Sequence, residues 1–188
     1  MSRKIITMLA SLVLLISTLS IGLSQAIAAE DLADSYLLMH SESDGVLSAR
    51  DLVFTNVDTG AEVWIRDLLS LGRAGSRKYI MQQLPAGEYY LSSIYPTVSI
   101  KDNAPRIAVD EDKGVITILA GTINYIGDFL FESRETGRGV ESSFGYEPNS
   151  NTLIAALTAE RELFERMDVS ISIAGNAPVP VDKKLLGL

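Results

Sequence analysis

His40 is the only imidazole in the chain, and there is no cysteine. Without cysteine there is no disulfide framework, thiolate metal site, thiol nucleophile or acylated lipoprotein cysteine. With one histidine there is no multi-histidine metal centre. A serine nucleophile needs a base beside it. No Gly-x-Ser-x-Gly elbow and no Ser-x-x-Lys motif occurs, although Ser76 stands near Lys78. His40 follows an apolar run and reads as a rim or core residue. The chemistry that composition leaves open is carried by carboxylates, in a hydrolase with two acids converging on one cleft. Their separation is spatial and is not set by sequence spacing.

Two charged segments could hold ions. In Asp110-Glu111-Asp112-Lys113-Gly114, Asp110 and Asp112 could converge hard oxygens on Ca²⁺. Lys113 sits inside that turn and the distal Glu of an EF-hand loop is missing, so a charged hairpin turn explains the segment with less. In Gly72-Arg73-Ala74-Gly75-Ser76-Arg77-Lys78, Arg73, Arg77 and Lys78 form the one local basic cluster of an acidic chain. The Gly-Lys-Ser/Thr ending of a phosphate loop is absent, and the segment reads as a solvated loop. An anionic ligand would be tested there first. No cofactor is implied.

The elements that must position these residues are mostly short apolar runs between turn signals. Tyr36–Met39, Leu52–Val57, Glu62–Arg66, Tyr79–Met81, Glu88–Tyr95, Ile123–Phe131 and Val140–Tyr146 read as strands. Asp58-Thr59-Gly60 and Pro85-Ala86-Gly87 read as turns. Arg106–Val109 and Val115–Leu119 read as a hairpin around the acidic turn. Simple alternation puts Tyr89 and Tyr95 on one face and Tyr90 on the other. It puts Phe129 and Phe131 with Tyr125 unless Gly127 makes a bulge. Such aromatic stripes are more often core than ligand platforms.

Residues 151–167 read as one amphipathic helix, capped from Asn149, Ser150 or Asn151. Leu153, Leu157, Phe164 and Met167 lie on one side, and Glu162 and Arg166 form an i,i+4 pair. Val169 to Ile173 could add an edge strand, and Lys183 to Leu188 reads as loose.

The segment Gly75 to Leu91, with Leu84-Pro85-Ala86-Gly87-Glu88-Tyr89, resembles the Leu-x-Pro-Gly-x-Tyr pattern of prealbumin-like domains. These are the transthyretin-like β-sandwiches, which include carboxypeptidase regulatory-like modules. Gly121 to Asp128 is similar to a late strand in exported bacterial domains with that fold. The resemblance covers about residues 36 to 131. It implies a mostly β, antiparallel prealbumin-like β-sandwich, here with one C-terminal amphipathic helix, and no particular activity.

Residues 1–28 have the layout of a secretory signal, with Arg3 and Lys4, an apolar run Ile5 to Leu23, and Ala26-Ile27-Ala28 before the cleavage point. An uncleaved anchor is the alternative. Cleavage would leave 160 residues, 29–188, as a single domain with net charge −10. That charge argues against nucleic acid and anionic membrane surfaces, and no later segment spans a bilayer. The expectation is a periplasmic or secreted, non-catalytic sandwich acting through protein or cell-envelope contacts. A small-ligand or calcium-binding module is the alternative.

Overall fold

The structure, a computed structural model, describes residues 35–70, 78–97 and 106–188. The expected signal therefore lies outside the described residues, as do Arg73 and Arg77.

Apolar residues at alternate positions form two β-sheets with a shared core. The first sheet holds β1 (Tyr36–Gly45), β4 (Ile80–Gln83), β8 (Thr122–Thr136), β9 (Gly139–Glu147), β10 (Asp168–Ile171) and β11 (Val179–Pro180). Its order is β11-β10-β8-β1-β4, with β9 paired to β8. The second sheet holds β2 (Ser48–Asn56), β3 (Glu62–Ile65), β5 (Gly87–Thr97), β6 (Ile107–Ala108) and β7 (Val115–Ile118). It runs β3-β2-β5-β6, with β7 also on β5. Most pairings are antiparallel, and β1 and β10 both run parallel to β8. The expected mostly β sandwich is therefore the observed architecture.

Between the sheets lie Leu37, Met39, Leu52, Phe54, Tyr89, Ile94, Ile116, Phe129 and Phe131. A second cluster covers the other face of the first sheet: Leu38, Tyr79, Ile123, Tyr125, Leu153, Ala156, Phe164 and Val169. Phe54, Phe129, Phe131 and Phe164 are fully buried. Each contributes roughly 1.5–3 kcal/mol by leaving water, which places these aromatics in the core.

The C-terminal helical segment is present, but it breaks at Glu160 (φ −118°, ψ 36°) into α1 (Ser150–Ala159) and α2 (Arg161–Arg166). The Tyr79 hydroxyl donates to Glu160 Oε1 at 3.0 Å at this break. Leu153, Ala156, Phe164 and Met167 all reach the sheet, and Leu157 is half-buried.

Three local expectations need correction. First, β6 and β7 do not pair with each other: β6 lies on Ser93–Ile94 and β7 on Gly87–Tyr90, both along one edge of β5. Asp110–Gly114 joins collinear strands, and Glu111–Lys113 forms one 3-10 turn there. Second, Tyr89 and Tyr95 do not share a face. Val53 pairs with Ser93 and Phe54 with Leu91, so Ser92 is an extra residue that flips the strand beyond it. Its hydroxyl holds that bulge, donating to the Val53 carbonyl at 3.2 Å and accepting from Thr55 Oγ1 at 2.8 Å. Tyr89 is core, while Tyr95 stacks on Trp64 at 5.0 Å and Arg66 covers the same indole. Third, the C-terminal residues are engaged: Lys183–Leu186 forms a 3-10 turn, and Leu186 and Leu188 pack on the second cluster.

Candidate functional site

The site begins at a kink in β8. Leu38 pairs with Tyr125 but His40 pairs with Asp128, so β8 carries one extra residue. Gly127 supplies the backbone for it at φ 90°, with Glu147 O only 3.2 Å from where a Cβ would sit. The kink sends Phe129 and Phe131 between the sheets and leaves Tyr125 and Asp128 on the helix side.

Asp128 is 2% exposed and all its bonding is internal. Its Oδ1 accepts from the Tyr125 hydroxyl at 2.9 Å. Its Oδ2 accepts from Asn149 Nδ2 at 2.8 Å and Thr152 Oγ1 at 3.0 Å. Asn149 caps α1 by accepting from the Asn151 N–H at 3.0 Å, while its own N–H donates to the Tyr125 oxygen at 2.8 Å. The carboxylate thus sits at the positive end of α1. Burial pushes the Tyr125 phenol well above its ordinary range. The Asn149 backbone bond opposes that shift and Asp128 adds to it. The network joins sheet to helix.

Lys78 is exposed and lines a small cavity of about 270 Å³ with His40, Glu42, Asn149, Asn151 and Thr152. His40 Nε2 is 3.6 Å from Glu42 Oε1, and its Nδ1 is buried without a partner. Among the described residues, Thr152 Oγ1 is the one hydroxyl lining this cavity, and it is bound to Asp128. Asp110 and Asp112 are exposed, and the Asp110 carbonyl accepts from the Lys113 N–H at 3.1 Å. Among the described residues, no three His, Asp or Glu side chains gather to hold a metal.

The opposite flank of β8 carries β9, whose outer edge is open among the described residues. From Asp128↔Glu147 to Thr136↔Gly139 it pairs with β9 without a register shift, and the ribbon turns at Gly137-Arg138. Residues Gly139–Ser143 are exposed. Among the described residues, β9 backbone groups bond to β8 alone. The residues flanking a two-residue turn form a bonded pair. Alternation then aims the N–H and C=O groups of Val140, Ser142, Phe144 and Tyr146 outward. A strand edge of this kind is usually blunted by charge, Pro or a bulge; β9 has Glu141 and Glu147 but no Lys, Pro or bulge.

Two grooves flank the ribbon. Asp44, Glu132, Arg134 and Glu141 line an open one of about 510 Å³. It contains carboxylates, yet every lining residue is polar, so nothing there excludes water from a reacting bond. The other, about 630 Å³, is walled by Phe144, Tyr146, Ile173 and Ala174, with Lys113 at its rim. Phe144 and Tyr146 pack against Phe129 at 5.8 and 5.7 Å between ring centres. The Tyr146 hydroxyl is buried without a hydrogen-bond partner, and that burial pushes its phenol well above the ordinary range.

Sequence reading named neither Asp128 nor Tyr146 as functional. The signal for Asp128 was a carboxylate inside the apolar run Ile126–Phe131. For Tyr146 no local signal exists, because its isolation depends on the turn at Ile173–Asn176. No protein-family model, curated protein or solved structure matches the chain.

Proposed function

We propose that the chain is an exported, non-catalytic, prealbumin-like sandwich that works through contacts with a protein or other envelope component, with β9 as the contact element. The observation that carries this reading is the nine-residue edge with no backbone partner among the described residues. Main-chain groups aimed at solvent are a template for an added strand, and side-chain pockets beside them supply selectivity. The buried acid Asp128 is engaged by three donors, and the exposed acids line an open polar groove. Both facts weigh against carboxylate hydrolysis.

The test places a photocrosslinking residue at Ser142, or at exposed Ile154 on α1 as control, in protein exported to its native envelope. Discrete adducts from position 142 and few from 154 are expected. Adducts only from 154, or turnover of a hydrolase substrate lost on changing one Asp or Glu, would overturn the reading.

The cleft between Phe144, Tyr146 and Ile173 favours a second reading, a small-ligand module. An apolar anion would rest its body on the aromatics and its charge near Lys113. Melting temperature measured with Ca²⁺ and with apolar carboxylates separates the two, because a flat response across both removes the ligand reading.

A further inference from the structure

We propose that the occupant of the β9 edge is the β9 edge of a second copy, paired antiparallel about a two-fold axis at Ser143. The inference rests on the reading of β9 as the contact element. The strand runs from Gly139 to Glu147, so Ser143 is its midpoint and this register uses every residue. Val140 then faces Tyr146 of the second copy, and Ser142 faces Phe144. These four positions carry the outward N–H and C=O groups, so the backbone bonds match.

Charge and shape agree with that register. Glu141 falls opposite Gly145 and Glu147 opposite Gly139, so like charges meet only on the diagonal, Glu141 with Glu147 of the second copy. Arg138 of one copy comes next to Glu147 of the other, at both ends of the ribbon. Arg138 has no acidic partner among the described residues. Val140, 45% exposed, shares a face with Phe144 and Tyr146 by alternation. Pairing lays it over Tyr146 of the second copy, at the mouth of the apolar cleft. A register centred on Glu141 or Phe144 would instead set glutamates against each other. Two chains of like net charge repel at long range, so added salt strengthens the association.

The contact is one strand wide and belongs to the weak class, dissociating near ~10 μM. Sedimentation of the signal-free chain from ~1 to ~200 μM is expected to show a monomer–dimer equilibrium that tightens several-fold between ~50 and ~500 mM NaCl. Ser142→Pro removes an outward N–H while leaving the β8 ladder whole. It is expected to weaken the dimer at least ~10-fold with the melting temperature unchanged. Because the chain lacks cysteine, Ser143→Cys gives a single thiol that should couple to its own copy on oxidation. Leu185→Cys, 83% exposed and remote from the ribbon, should not.

A monomer at every concentration with uncoupled Cys variants overturns the proposal. So does a dimer indifferent to Ser142→Pro whose position-143 thiols stay apart. If the chain is monomeric but the crosslinker at Ser142 captures a different envelope protein, self-pairing fails and the contact reading stands. If Ser142 captures nothing, both fail.

Discussion

Asp128 and Tyr146 lie one register step apart on neighbouring strands, since Asp128 pairs with Glu147 and Phe129 with Tyr146. Both carry a buried polar group, and the two have opposite surroundings. Three donors converge on the Asp128 carboxylate, whereas the Tyr146 hydroxyl has no partner. The difference follows from what covers each face. Over Asp128 the chain returns as α1 and brings the Asn149 cap and Thr152 with it. Beside Tyr146, among the described residues, Phe129 packs on the ring and Lys113 and the turn at Ile173–Asn176 line the cleft, while the outer edge of β9 stays open. A satisfied network fixes elements together, while an unsatisfied edge is a place where something else can bind.

The largest expected effect breaks the closed side. Asp128→Ala strips the acceptor from Tyr125, Asn149 and Thr152, leaving buried donors unmet. It should cost roughly 3 kcal/mol or more in urea unfolding. The loss should appear as release of α1 from the sheet, seen as faster amide exchange over Asn151–Ala156. Gly127→Ala attacks the kink that aims Asp128. A Cβ there meets Glu147 O at 3.2 Å and forces positive φ on alanine, for about 2 kcal/mol. Equal exchange in α1 for both variants and the parent would mean that the network does not hold the helix.

The local elements around this contrast could be read from the sequence; the contrast itself could not. The Asn56–Gly60 turn was legible because Asn56 Oδ1 accepts from the N–H groups of Asp58 and Thr59, a bond local to its own residue types. The helical stripe was legible because Leu153, Phe164 and Met167 meet one surface. The break at Glu160 was not, since its partner Tyr79 lies 81 residues away. The apparent hairpin at Arg106–Leu119 shows the same limit. Two short strands around a turn look alike whether they pair together or line up on a third. Here the eleven-residue edge of β5 decides, by offering each strand its own stretch. The Ser92 bulge exists only in the pairing with β2, so the Tyr89 and Tyr95 faces were beyond local alternation. The site followed this pattern: sequence narrowed the cap to Asn149, Ser150 or Asn151, and the Asp128 partner of Asn149 was not visible.

Removing one oxygen from each side sharpens the comparison. Tyr125→Phe deletes a donor to Asp128 and an acceptor for the Asn149 N–H, and should cost about 1–2 kcal/mol at neutral pH.

Tyr146→Phe deletes a hydroxyl that bonds to nothing, so neutral stability should stay level or rise by up to ~1 kcal/mol. The two variants should agree at alkaline pH. Burial raises both folded phenols above the unfolded value of about 10. The unfolded chain therefore releases its phenolic protons first. The stabilisation is fully present below pH ~10 and is lost as pH climbs past it. Each Tyr→Phe change should flatten that alkaline loss by one proton's slope, measured as unfolding free energy from pH ~8 to ~11. A Tyr146→Phe chain that is destabilised at neutral pH would mean the hydroxyl has a partner, and one that keeps the full alkaline slope would mean burial does not hold the Tyr146 phenol above its unfolded value.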